Sequence, residues 1–106
     1  MAFYVYILTN KNKTVLYTGV TNNLEHRLLE HFQSTHSFTA KYNVHYLLFY
    51  EPHQYINNAI AREKEIKGWK RVKKEELIKA FNPDYKFLND ELLGTWPAAD
   101  MRSRLD

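Results

Sequence analysis

The chain has 106 residues, enough for one hydrophobic core and too few for a separate regulatory module. With no cysteine, disulfides, thiolate metal sites and a thiol nucleophile are excluded, so any chemistry must use oxygen and nitrogen. Lys and Arg number 15 against 12 acids, and the resulting net charge of +3 permits an anionic partner without requiring one.

The first element is a hairpin over about Phe3 to Val20, two apolar runs joined by the polar turn Asn10-Lys11-Asn12-Lys13. Symmetric closure on that turn places Tyr6 opposite Tyr17. Strand alternation then puts Tyr4, Tyr6, Leu8, Val15, Tyr17 and Gly19 on one face and Phe3, Val5, Ile7, Leu16, Thr18 and Val20 on the other. The second set is the more apolar and is expected to face the core. That leaves paired phenols on the less apolar surface beside Gly19, where a missing side chain allows close approach. Tyr also suits strands for packing reasons alone, so the pair needs support from elsewhere in the chain.

Asn22-Asn23-Leu24-Glu25 has the form of a capping box, and the spacing predicts a helix from Asn23 to about Gln33 with Leu24, Leu28 and Phe32 as its apolar stripe. Arg27 and His31 stand one turn apart at the border of that stripe, within reach of the sheet. Ser34 to Thr39 is a polar loop. A third strand is expected over His45 to Glu51, buried on both faces and ended by Pro52.

A second helix is expected from a cap at Asn57 or Asn58 to about Trp69, weakened at its end by Gly68. On it Glu63 projects between Ala59, Ile66 and Ile60, so its carboxylate faces inward while Glu65 faces solvent. A buried carboxylate is paired, protonated or bound to a cation, and Arg27 or Lys67 could serve as an internal partner. Between Arg62 and Lys74, the basic residues Arg62, Lys64, Lys67, Lys70, Arg71, Lys73 and Lys74 face only Glu63 and Glu65. This density suits a polyphosphate backbone, although Lys-rich helix faces are commonly just solvated. Trp69 among them could stack on a base or anchor the core. A third helix runs from Lys73 to Phe81 and stops at Asn82-Pro83. Phe87, Leu88, Leu92 and Leu93 suggest one last packed turn. The domain is expected over residues 1–95, with a flexible tail over 96–106.

Together these residues resemble the GIY-YIG nucleases, a family named for two tripeptides on an N-terminal hairpin. Tyr4-Val5-Tyr6 stands where the family has its first tripeptide and Tyr17-Thr18-Gly19 where it has the second, with Tyr4 replacing the first glycine and Thr18 the central isoleucine. Arg27 and His31 follow at the family's spacing, Glu63 matches its metal-binding glutamate, and Asn82 falls where an asparagine often follows the metal helix. Tyr17 to His31 and Ala59 to Arg71 look like the small stand-alone bacterial members related to the catalytic domain of the excision-repair incision subunit.

The resemblance implies an α/β fold, a small three-stranded sheet, mixed or antiparallel, flanked by three or more helices. It also implies metal-dependent hydrolysis of DNA phosphodiesters, with a place in repair or branched-DNA processing. Glu63 would hold one Mg²⁺ or Mn²⁺. Tyr6 or Tyr17 would orient or deprotonate water, Arg27 would clamp the phosphate and favour a phenolate, and His31 would relay a proton. Lys64, Lys67, Lys70, Arg71, Lys73, Lys74 and Asn82 would contact nucleic acid, DNA in the first instance with RNA not excluded. His26, His36, His45 and His53 have no assigned chemistry. No stretch approaches the roughly 20 apolar residues of a membrane span, and nothing at the N-terminus resembles a secretion signal, so a cytoplasmic protein is expected. The alternatives are a nucleic-acid-binding module without turnover and a protein-interaction adaptor on the same fold.

Overall fold

The computed structural model describes residues 2–33 and 42–93. Strands β1 (Phe3–Thr9) and β2 (Leu16–Thr21) form the expected hairpin. After helix α1 (Leu24–Gln33), strand β3 (Tyr46–His53) completes an antiparallel sheet in the order β2-β1-β3. Helices α2 (Ile56–Lys67), α3 (Arg71–Phe81) and the short α4 (Asn89–Leu93) follow. The expected loop at Ser34–Thr39 and the expected tail over 96–106 lie outside the described residues. Among the described residues, no helix is long and apolar enough to cross a membrane.

The hairpin closes through a wider loop than symmetry suggests. Lys13 N–H donates to the Asn10 carbonyl at 3.0 Å, and Asn10 Oδ1 accepts from Thr14 N at 2.8 Å and Val15 N at 3.2 Å. The loop thus consumes residues 10–15, and Thr9 pairs with Leu16. As a result Tyr6 pairs with Gly19 and Tyr17 with Leu8, a displacement of two residues from the expected Tyr6–Tyr17 pair. Because side chains alternate with period two, this shift preserves which residues share a face.

Both faces are covered, which corrects the expectation of a single core face. Val5 and Ile7 pack with Leu48, Phe49, Ala59, Ile66 and Ile78 on one side. Tyr6 and Leu8 pack with Leu24, Leu28, Val44, Leu47 and Leu88 on the other. A bulge serves this division: Ile7 pairs with Phe49 and Leu8 with Leu47, so Leu48 is the extra residue. Leu48 and Phe49 both join the first core while Leu47 stays in the second. β3 also runs through Pro52 to His53 rather than stopping at Glu51, because an edge strand tolerates a residue without an N–H.

Helix α1 starts as expected, with Asn23 Oδ1 accepting from His26 N at 3.0 Å. Helix α2 does not: its N-cap is the extended Tyr55, with no side-chain cap bond, and Asn57 and Asn58 lie exposed in its first turn. A break over Gly68–Lys70 then separates α2 from α3, so the basic run is divided between two helices instead of forming one stripe.

Two buried asparagines tie the C-terminal segment to β3. Asn82 caps α3 and donates from Nδ2 to the carbonyls of Leu48 (3.1 Å) and Lys86 (2.8 Å). Its Oδ1 accepts from Lys86 N at 3.1 Å. Asn89 accepts from Leu47 N at 2.8 Å and donates to the His45 carbonyl at 3.0 Å, filling the place of a neighbouring strand along β3. Asn89→Ala leaves two buried backbone groups without these partners and is expected to cost about 3 kcal/mol. Urea denaturation checks this; a loss well under 1 kcal/mol would contradict the role.

Candidate active site

The site is built around Tyr6. This residue lies on the central strand, is only 1% exposed, and has its ring over the backbone of its cross-strand partner Gly19. A Cβ placed on Gly19 would stand 2.4 Å from the Tyr6 hydroxyl oxygen and 2.5 Å from the ring carbon bearing it. The close approach that the missing side chain allows is thus made by Tyr6 itself, where another backbone or a ligand was expected. The same hydroxyl is held by His31, whose Nε2 is 2.9 Å away, a hydrogen bond available to either imidazole tautomer.

Helix α1 supplies His31 and Arg27 from the rim position that their spacing indicated. The His31 ring meets Tyr6 edge-on at 5.8 Å and Tyr17 edge-on at 5.4 Å, so one imidazole bridges the two phenols that the hairpin register separates. Tyr17 is only partly buried. Arg27 Nε is buried and makes no hydrogen bond, although Glu30 Oε1 lies 3.3 Å away.

Burial sets the protonation of the central pair. It pushes the Tyr6 phenol well above the usual tyrosine range, with Tyr17 and Glu63 adding to the rise and Arg27 opposing it. Burial also lowers His31 to about 4, assisted by Arg27 and His45 and opposed by Glu30. Near neutral pH the hydrogen bond therefore joins two uncharged groups. His45, expected to open the third strand, lies just before it and is buried against Tyr46 at 4.7 Å, and burial lowers it to about 4.

Glu63 faces inward, as its helical position indicated. Its side chain is 15% exposed, and its charge is felt at the Tyr6 hydroxyl. Lys67, one of the two internal partners considered, lies 3.5 Å from Glu63 Oε2. The Lys67 side chain is 51% exposed, so the pair is a solvated contact at the helix surface rather than a sealed one.

The basic residues have separate tasks. Arg71 is committed to the hairpin loop, donating to the carbonyls of Thr14 (2.9 Å) and Lys13 (2.8 Å). Trp69 packs on the first core with Lys73 Nζ 4.3 Å and the Arg62 guanidinium 5.2 Å from its ring centre, which withdraws it from base stacking. Lys64, Lys67, Lys70 and Lys73 are exposed and Lys74 is partly buried. Asn82 is a structural residue here, since its amide is used on backbone groups. Among the other histidines, His26 pairs with Glu30 on the surface and His53 with Glu51; His36 lies outside the described residues.

A sequence model of the GIY-YIG catalytic domain matches residues 2–76. The chain belongs to the GIY-YIG family. It is 40% identical over 85 residues to a UPF0213 protein of Syntrophus aciditrophicus, covering 76% of this chain and 93% of that protein. A UPF0213 protein of Natronomonas pharaonis is 38% identical over 76 residues, covering 71% and 88% respectively. The solution NMR structure of a UPF0213 protein from Bacillus halodurans superposes with a TM-score of 0.53 at 26% identity, over 90% of this chain and 99% of that one.

The GIY-YIG tripeptides now have a physical meaning in this chain. Their middle residues, Val5 and Thr18, are buried on the first-core face, and Tyr6 and Gly19 meet on the opposite one. Gly19→Ala is therefore expected to drive Tyr6 from its seat and cost about 1–3 kcal/mol. NMR of the His31 imidazole checks it: unchanged ring shifts in a folded variant would contradict the contact.

The two depressed histidines give a pH dependence whose sign follows from linkage. Their folded values near 4 lie below the ordinary 6.5, so between those limits the unfolded chain binds more protons. Stability is fully present above about pH 6.5 and falls as pH drops towards 4, by on the order of 3 kcal/mol per histidine. Urea midpoints at pH 7.5, 5.5 and 4.5 test this, with a shallower trend expected for His45→Gln. A flat profile would contradict it.

Proposed function

We propose that this protein is a divalent-metal-dependent endonuclease that hydrolyses DNA phosphodiester bonds. The reading rests chiefly on the meeting point at the Tyr6 hydroxyl. There, β1, β2 and α1 bring together two phenols, an imidazole and a guanidinium, with the Glu63 carboxylate of α2 near enough for its charge to be felt. Family membership supports nuclease chemistry; the choice of DNA, metal and residue roles is inference from that chemistry.

Glu63 fits a hard cation. Among the described residues no group of three or more His, Asp or Glu gathers to enclose an ion. A single carboxylate completed by water and phosphate oxygens is, however, a donor set that Mg²⁺ accepts and Mn²⁺ can share. Bound there, the cation would supply charge neutralisation at the scissile phosphate. Lys67, being exposed, can leave Glu63 without a buried charge being stranded.

Arg27 binds the phosphate oxygens through its part-exposed guanidinium, which can leave the exposed Glu30 to do so. Tyr17, the more accessible phenol, orients the attacking water. Tyr6 is a poor phenolate in the folded chain because burial raises its pKa by more than Arg27 lowers it. Instead it passes a proton to His31 Nε2 as it receives one from water. Burial chiefly holds His31 low and Arg27 adds to it, so engaging that guanidinium with phosphate relieves part of the depression and strengthens the imidazole as acceptor. Lys64, Lys67, Lys70, Lys73 and Lys74 attract the backbone in a salt-dependent way.

The purified protein is expected to cut DNA in Mg²⁺ or Mn²⁺, tested on linear, nicked, flapped and branched substrates. Glu63→Gln and Tyr6→Phe are expected to lower the rate at least about a hundredfold while remaining folded. Binding without cleavage by the wild type, or cleavage indifferent to both substitutions, would overturn the assignment.

A further inference from the structure

Beside the Tyr6 centre lies a cleft of about 360 Å³ that the proposed hydrolysis does not use. Its apolar lining comes from Tyr4, Tyr50, Leu24 and Leu92. Asn22, Asn23 and Glu25, at the start of α1, supply its polar lining. Tyr4 and Tyr50 meet edge-to-face at 6.3 Å, and Tyr50 in turn meets the half-exposed Phe81 edge-on at 5.1 Å. No lysine or arginine lines the cleft and one carboxylate does, so it repels phosphate. What suits it is a flat, uncharged heteroaromatic group with hydrogen-bonding edges.

Position selects among such groups. Tyr4 is two residues from Tyr6 on the same strand face, about 7 Å along β1. Asn23 is one turn from Arg27, whose N–H donates to the Asn23 carbonyl at 3.0 Å, about 5.4 Å along α1. Strand and helix therefore lead from Tyr6 and from the phosphate-binding Arg27 to the cleft by roughly the span between a backbone phosphate and a neighbouring base.

Resting on the nuclease reading, the geometry points to a base-seating subsite: the Tyr4–Tyr50 cleft receives an unpaired nucleobase flanking the scissile phosphate. Aromatic faces stack on any base, whereas the Asn22 amide and the Nδ2 of Asn23, whose Oδ1 caps α1, can address its edge. A base within a duplex is stacked and paired, and entering the cleft would require unstacking it. Preferred substrates are accordingly single-stranded or flapped DNA. Tyr4 stands where the GIY-YIG tripeptide has glycine, so a side chain forms this wall of the cleft where that tripeptide has none.

The test uses the full-length protein and a flapped oligonucleotide carrying 2-aminopurine next to the junction, first without metal and then with Mn²⁺. Binding is expected to quench the 2-aminopurine fluorescence. Replacing that base by an abasic site, or Tyr4 by Ala, is expected to weaken binding about tenfold. Tyr4→Phe, which keeps the ring, restores binding if stacking is the interaction. The abasic substrate leaves the protein unaltered and so separates the subsite from any folding defect. Unquenched fluorescence, or equal affinity for abasic and intact flaps, would overturn the subsite; if cleavage persists, the nuclease reading survives that result. Absence of cleavage on every substrate, with quenching intact, would instead overturn the nuclease reading and leave a base-binding cleft.

Discussion

The contact on which the site depends is the Tyr6 phenol lying against Gly19, a fit that a single methyl group would abolish. It exists because the hairpin loop takes in residues 10–15, placing glycine rather than tyrosine opposite Tyr6. From that seat the hydroxyl reaches His31, and His31 in turn meets Tyr17. One local register choice thus determines whether α1 can assemble its imidazole with both phenols.

Covering the sheet on both faces gives the site its electrostatic character. Had Tyr6 remained on a solvated surface, water would have set its ionisation. Buried under α1 and the C-terminal segment, Tyr6 and His31 remain uncharged, and formal charge comes from Arg27 and Glu63 around them. This arrangement is suited to a substrate that brings its own negative charge, because a polar environment fixed in advance needs little reorganisation when charge develops. The same burial makes the fold sensitive to acid through His31 and His45.

Much of this was legible in the chain. Alternation in the hairpin correctly divided its faces, the Asn23 cap located α1, and the helical projection of Glu63 gave its inward direction. Arg27 and His31 were legible because helix period is a local property. Register was not: it depends on the side chain of Asn10 bonding to Thr14 and Val15, which moves closure by two residues. Also hidden were the roles of Asn82 and Asn89, whose amides act on backbone brought near by tertiary folding. A basic run similarly carries no mark distinguishing Arg71, spent on the hairpin loop, from the lysines left exposed. The second core was missed because it needs α1, Val44 and Leu88 together, segments distant in sequence.

The most direct test of the central claim is the location of a bound divalent cation, read by paramagnetic broadening of side-chain NMR signals as Mn²⁺ is added at substoichiometric levels. The account expects the Glu63, Tyr6 and Tyr17 signals to broaden first, and this selectivity to vanish in Glu63→Gln. Broadening spread over exposed carboxylates such as Glu76 and Asp84, unchanged by that substitution, would contradict a cation held beside the paired phenols.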